Sequence, residues 1–201
     1  MEVALSELAA KERYRLLIGL VVPRPIAFIT TRGEDGVVNA APFSFFNLMG
    51  EDPPIVVVSL SARADGSIKD TLRNIRRTGE FVVNLVDEAI AAAMHQASAE
   101  YPPEVSEVRA VGLSLAPCHD VAIERIAEAP ASFECRVLQT VAIGPTRRIV
   151  IGEILRLHVR DALIDPATKR IREDAYHPVG RLYANSYVKT RERFTLPPAI
   201  P

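Results

Sequence analysis

Apolar residues recur at helical spacing across residues 5–18 (Leu5, Leu8, Ala9, Leu16, Leu17), which predicts an N-terminal helix within residues 1–20. The period then changes. "PRPIAFITT" (Pro23–Thr31) is a short apolar, β-branched run, followed by the turn residues "RGEDG" and a second run, "VVNAAPFSFF". That order predicts a hairpin. "PPIVVVSLS" (Pro53–Ser61) reads as a further buried strand opened by its prolines. A short helix is predicted over 70–78, with Leu72 and Ile75 on one side and Gly79 as its stop. "EFVVNLV" (Glu80–Val86) predicts another strand. Asp87 is placed to cap a helix over 88–98, closed by Tyr101-Pro102-Pro103.

The second half alternates more strictly. Phe133, Cys135, Val137 and Val141 fall on one side, and Glu134, Arg136 and Thr140 on the other. After Gly144-Pro145-Thr146, Ile149, Ile151, Leu155, Leu157 and Val159 share a side opposite Arg148, Arg156 and His158. This predicts a long antiparallel hairpin with one wet face. The helices are few and form no repeating βα unit. A mainly β fold follows, a closed or partly closed antiparallel barrel with peripheral helices. Residues 1–201 read as one domain, and residues 189–201, ending "FTLPPAIP", as an extended arm.

Composition narrows the function classes. Twenty-four basic residues stand against 25 acidic ones, for a net charge of −1, so no basic surplus points to nucleic acid. No apolar run approaches the roughly 18 residues that span a bilayer, and the mixed-charge N-terminus does not read as a signal peptide. Cys118 and Cys135 fit neither a disulfide framework nor a zinc site. The expectation is a cytoplasmic protein with no membrane or nucleic-acid partner and no metal. Neither glycine-rich nucleotide fingerprint is present.

Two stretches carry candidate chemistry. "GSIKDT" (Gly66–Thr71) opens the predicted helix, where unpaired N–H groups and a partial positive charge favour an anion. Asp70 could be a simple cap with Lys69 solvated. Alternatively, Lys69 and the hydroxyls of Ser67 or Thr71 surround a phosphate. In "NAAPFSFFN", Ser44 and Asn47 flank Phe45 and Phe46. The rings are either core or part of a site for a flat heteroaromatic ligand. Cys118-His119-Asp120 has the residue types of a triad, but sequence neighbours do not converge as one.

Taken together, "VVPRPIAFITT", "DGVVNAAPFSFFN", "DPPIVVVSLS", "KDTLRNI", "GEFVVNLV", "EVRAVGLSLAP" and "VGRLYANSYVKTRERF" resemble the flavin reductase-like family. This family comprises FMN-binding split barrels, including flavoredoxin-like proteins and the reductase components of two-component flavin monooxygenases. The resemblance covers roughly residues 13–194. It implies a Greek-key split barrel, a homodimer and non-covalent FMN. It places the flavin phosphate at Lys69, Asp70 and Thr71, and the isoalloxazine beside Ser44, Phe45, Phe46 and Asn47. Thr30, Thr31, Ser59 and Ser61 fall on matching strand ends. His177, Arg181 and Tyr187 fall at the rim of the second-substrate site. Where relatives carry a glycine pair, this chain has Tyr183-Ala184, which narrows the space over the flavin.

The implied activity is hydride transfer from NADH or NADPH to FMN, with a monooxygenase or another electron acceptor downstream. The cofactor carries that chemistry, so no catalytic side chain is expected. A flavoredoxin-like electron carrier without pyridine-nucleotide turnover is the alternative.

Overall fold

The computed structural model describes residues 1–63, 65–102 and 104–199. Pro103, at the expected end of the second helix, and the last two residues of the C-terminal arm lie outside the described residues. Helix α1 (Ala10–Leu20) is followed by strands β1 (Ala27–Arg32), β2 (Val38–Phe43), β3 (Phe46–Glu51) and β4 (Pro54–Ser61). Helix α2 (Asp70–Thr78), β5 (Glu80–Leu85), α3 (Ala91–Gln96) and α4 (Glu107–Ala110) come next. The short pair β6 (Leu115–Ala116) and β7 (Arg125–Ile126) precedes the long hairpin of β8 (Ala131–Ile143) and β9 (Arg147–Val159). A last hairpin joins β10 (Val179–Arg181) to β11 (Tyr187–Lys189).

Seven strands form one antiparallel sheet in the order β2-β1-β5-β8-β9-β4-β3. Its two edges, β2 and β3, are successive in sequence, separated by Ser44 and Phe45. The sheet therefore curls back on itself, and β2 lies against β4 across the seam. Among the described residues no ladder joins β2 to β3. A barrel split along one seam, with Greek-key strand order, is the result.

Inside the curl, Ile29, Phe43, Val56, Val58, Leu60, Phe81, Val83, Cys135 and Val150 form the main core. Helix α2 closes it by adding Leu72 and Ile75, three residues apart on one face, while Arg73, Arg76 and Arg77 stay outside. Burying those two side chains contributes about 1.5–3 kcal/mol each. Gly79 ends the helix in a left-handed conformation (φ 71°), its N–H donating to Ile75 O at 2.8 Å. A second core behind β1 and β2 packs Phe28, Ile26 and Ala40 against Ile90, Met94 and Val108 from the helical segments.

The long hairpin departs from the expected wet face. Two bulges interrupt the register, with Leu155 the extra residue of β9 and Leu138 the extra residue of β8, while Phe133, Cys135 and Val137 keep the expected inward side. In β9 the buried residues are Val150 and Gly152, whereas Ile149 and Ile151 are half-buried and Leu157 is exposed. Glu134, expected in solvent, has no exposed surface. Residues 118–126 run over this side of the sheet, where Val121 and Ile123 pack on Val82. Glu134 holds that strap by accepting from the N–H groups of His119 (3.0 Å), Asp120 (2.5 Å) and Val121 (3.1 Å), with His158 Nε2 at 2.5 Å. Burial acts to raise its pKa. The N–H donors of His119 and Asp120, together with His158, outweigh burial and hold the carboxyl below its ordinary value.

Candidate functional site

The start of α2 is built to stay open. Lys69 is the N-cap residue, in extended conformation, and no side chain caps the helix by a hydrogen bond. The N–H groups of the first turn have no intrahelical partners. Asp70 does not cap, so of the readings open from sequence the simple cap is not the one seen. Asp70 sits one position inside the helix, where its two oxygens accept from Arg63 and Arg73. Arg63 also donates to Ile68 O at 2.7 Å, so Asp70 ties Arg63 to the helix start. Lys69 Nζ stands 5.6 Å from the Phe43 ring centroid and has no ion-pair partner among the described residues. Burial, reinforced by the Arg63 charge and opposed by Glu100, pulls its pKa below the ordinary lysine value.

Lys69, Asp70 and Thr71 line a groove of about 510 Å³ with Arg63, Asn39, Phe43, Tyr14 and Arg181. The groove continues into a second chamber of about 360 Å³, which shares Tyr14, Pro42, Phe43, Ser98 and Arg181 and adds Ser44, Arg24, Tyr183 and Ala184. The combined space lies within the range of cofactor sites, roughly 300–1,000 Å³. Thr71 is buried at its floor. The Asn39 amide, turned so that its oxygen accepts from Thr71 Oγ1 (3.1 Å) and its nitrogen donates to Glu107 Oε1 (3.2 Å), satisfies all three groups. Glu107 also accepts from Ala40 N at 2.9 Å, and burial raises its pKa.

The structure thus brings Ser44, Lys69, Asp70, Thr71 and Arg181 into one continuous groove. Tyr187 supports it from behind: Arg181 Nη1 donates to its hydroxyl, the guanidinium lies 4.7 Å from its ring centroid, and His95 Nδ1 is 3.0 Å from the same oxygen. Phe45 stands beside the groove, edge-on to Tyr14 at 6.4 Å and under Arg147 at 5.4 Å.

The remaining expected residues fall elsewhere. Thr30 and Thr31 are wholly buried; Thr30 donates to Glu124 O (2.8 Å) and Thr31 accepts from Asn74 Nδ2 (3.1 Å). They fasten the strap and α2 to β1, so neither hydroxyl faces the groove. Phe46 packs on the core, and Asn47 is exposed, its side chain turned to its neighbour Leu48 N at 2.9 Å. Ser59 accepts from Arg147 Nη1 at 2.9 Å, and Ser61 pairs with Arg147 in the sheet. His177 lies outside both chambers; its Nδ1 is buried without a hydrogen-bond partner among the described residues. Cys118, Glu134 and His158 cluster within 4.8 Å, but Glu134 is already saturated by the strap, and burial with the Glu134 charge pushes the Cys118 thiol up to about 12. This cluster is structural.

Sequence reasoning missed Arg24. Its guanidinium is buried and donates to Ile18 O (2.6 Å), Val21 O (2.7 Å), Leu182 O (2.8 Å) and Ser44 Oγ (3.3 Å). One side chain therefore fixes the end of α1, the end of β2 and the loop after β10. An arginine between two prolines in an apolar run was the available signal. Ala184 adopts a left-handed φ of 49°.

An antiparallel split barrel with a groove that begins at an uncapped helix start is the class that fold and site define. Residues 19–180 match the flavin reductase like domain, and the chain belongs to that family. Several solved structures resemble it, three of them as follows. The 2-nitrobenzoate 2-nitroreductase of Pseudomonas fluorescens is 38% identical, with all of this chain and 98% of that one covered and a TM-score of 0.91. Nitrilotriacetate monooxygenase component B of Bacillus cereus is 34% identical over 98% of both chains, TM-score 0.93. A Shewanella frigidimarina protein with a split barrel domain is 23% identical over 99% of this chain and 100% of that one, TM-score 0.83, a likeness of fold.

Proposed function

We propose that this protein is an FMN-dependent oxidoreductase that draws its electrons from NADH or NADPH. The observation that carries this reading is the unpaired, partly buried Lys69 beside the open first turn of α2. A phosphate monoester matches that donor set, and the adjoining walls of Pro42, Phe43 and Tyr14 match a flat ring system. The residues therefore fit FMN. Lys69 and the first-turn N–H groups would hold its phosphate, Thr71 would form the floor, and Ser44 and Arg181 would reach its ring end. Bound FMN supplies hydride acceptance from a nicotinamide. The chain itself binds, orients and shields: Tyr187 and His95 hold Arg181, while Arg24 holds Ser44 and the 182–184 loop over the groove.

Exposed apolar residues support a homodimer. Leu48 and Met49 lie on the edge strand β3, and Leu138 and Ile143 on the far half of the long hairpin. The likeness to a monooxygenase component B supports a monooxygenase or similar acceptor as electron partner. No helix is long and apolar enough to cross a membrane among the described residues.

The decisive experiment is anaerobic titration of the FMN-loaded protein with NADH and with NADPH. Bleaching of the flavin's visible band supports the oxidoreductase. A yellow protein inert to both nucleotides is a carrier, and a protein that retains no FMN overturns the reading.

A further inference from the structure

The second chamber has a charge composition that flavin binding does not explain. Lys11 and Arg15 on α1, Arg24 after it and Arg181 on β10 all line it, and among the described residues no aspartate or glutamate does. None of the four forms an ion pair among the described residues. Glu12, the nearest acid in sequence, is turned to the helix start, where it accepts from Ala9 N at 2.9 Å.

The four cations are not equivalent. Arg24 spends its N–H groups on three carbonyls and the Ser44 hydroxyl, so its hydrogen bonds are satisfied while its charge has no counter-ion. Arg181 is clamped on Tyr187. Burial and the like charge of Arg181 both lower the pKa of Arg24, and Tyr14 opposes them. Lys11 and Arg15 are exposed, one turn apart on the same helix face, and free to close on a ligand. Fixed cations at the base and mobile ones at the rim, with low-dielectric walls of Ile18 and Ile26, concentrate a field that attracts anions. The Tyr14 and Tyr183 rings supply flat contact surface in the same space.

We propose that this chamber selects the co-substrate by charge: it takes an aromatic compound bearing a carboxylate or phosphate group, with the anion between Lys11, Arg15 and Arg181. The proposal rests on the flavin reading above, because that reading puts the cofactor's phosphate at Lys69 and its ring end at Ser44 and Arg181, and leaves the Lys11 and Arg15 rim of the second chamber to the second substrate. An aromatic carboxylate and a nicotinamide nucleotide both carry this chemistry, and the test separates them.

The FMN-loaded protein is titrated calorimetrically with benzoate, with benzamide as its neutral isostere, and with NADP⁺. The same titrations are made on the Lys11→Gln/Arg15→Gln double variant. Both substitutions lie on the exposed side of α1, and circular dichroism checks that the helix persists. Benzoate is expected to bind at least about tenfold more tightly than benzamide, and the double variant to bring the two within about twofold. A parallel loss for NADP⁺ identifies the nucleotide phosphates as a source of the anion, and a loss confined to benzoate identifies a carboxylate. Equal binding of benzoate and benzamide, together with NADP⁺ affinity unchanged in the variant, overturns the proposal. So does a fall in FMN affinity in the variant, which would assign these cations to the cofactor. If the unmodified protein retains no FMN, the flavin reading fails separately, and the benzoate and benzamide comparison on the same protein still scores the chamber.

Discussion

Replacing Lys69 with methionine separates what the cofactor gains from what the fold loses. In the flavin-free protein the ammonium is partly buried, faces the Phe43 ring, and has Arg63 as its nearest strong influence after burial itself. Its contact with the ring contributes about 0.5–1 kcal/mol. Desolvating an unpaired charge costs a comparable amount or more, and methionine keeps the apolar stem against Phe43. Lys69→Met should therefore leave the flavin-free protein as stable as before, or up to about 1 kcal/mol more stable, a rise of roughly 2–4 °C in Tm at this size. The pH dependence has a defined sign. The folded pKa of Lys69 is depressed, so the unfolded chain binds more protons, and stability rises as pH climbs from the folded value toward the ordinary lysine value. That rise should vanish in the variant. With FMN the direction reverses: one charge-assisted hydrogen bond to the phosphate is lost, about 1.5–3 kcal/mol, or roughly ten- to a hundredfold in Kd. Riboflavin has no phosphate and should bind both proteins alike. Fluorescence titration with the two flavins and thermal melts without flavin read all of this. Equal weakening of FMN and riboflavin, or a flavin-free protein destabilised by more than about 1 kcal/mol, would refute the assignment.

Three further outcomes follow from the same geometry. Glu134→Gln should cost on the order of 3 kcal/mol at neutral pH, because donors that converge on a carboxylate meet an amide. Since the folded pKa of Glu134 is lowered, its contribution is present above about pH 4.3 and lost as pH falls through the folded value, so urea melts of the variant should show a shallower acid decline. Gly152→Ala would place a Cβ 2.4 Å from Phe81 Cζ, and Phe81 is wholly buried; a loss of about 1–3 kcal/mol in denaturant melts is expected, and a neutral result would mean the core can yield. Asp70→Asn should cost about 1 kcal/mol through its ion pairs with Arg63 and Arg73 and its place in the first turn, and high salt should shrink the difference. A loss insensitive to salt would return Asp70 to a capping role.

Local signals in the chain were read correctly where one residue or one period decides the structure. Helix α2 spans the expected 70–78 because an apolar pair and a glycine stop define it without outside help. Strands β1 and β5 were legible as apolar runs because both of their faces are covered, and β4 because Val56, Val58 and Leu60 face the core while the residues between them are half-buried. The long hairpin was legible in extent, and β8 also in facing, since Phe133, Cys135 and Val137 pack on the core. In β9 the core side is that of Val150 and Ile154 instead of Ile149 and Ile151, and the 118–126 strap, which carries little periodicity, covers part of the side expected to be wet. The expected helix over 88–98 shortens to Ala91–Gln96 because Asp87 Oδ1 accepts from Ala89 N (3.1 Å) and Ile90 N (3.4 Å), building a turn first.

The site divides along the same line. Lys69 and Ser44 were legible because each lies within a stretch whose own backbone makes the site. Arg24 was not, because its role needs Leu182, 158 residues away in sequence. Net charge carried no information about the second chamber. A chain of charge −1 offers no long-range attraction for a polyanion. Yet the fold pairs Asp70, Glu88, Asp120, Glu124 and Glu134 outside the second chamber and leaves Lys11, Arg15, Arg24 and Arg181 without carboxylates inside it. Charge that cancels over the whole surface does not cancel over the few ångströms a bound anion senses, since separations beyond about 8–10 Å are screened by salt. The balance that matters for binding is local, and only the folded chain sets it.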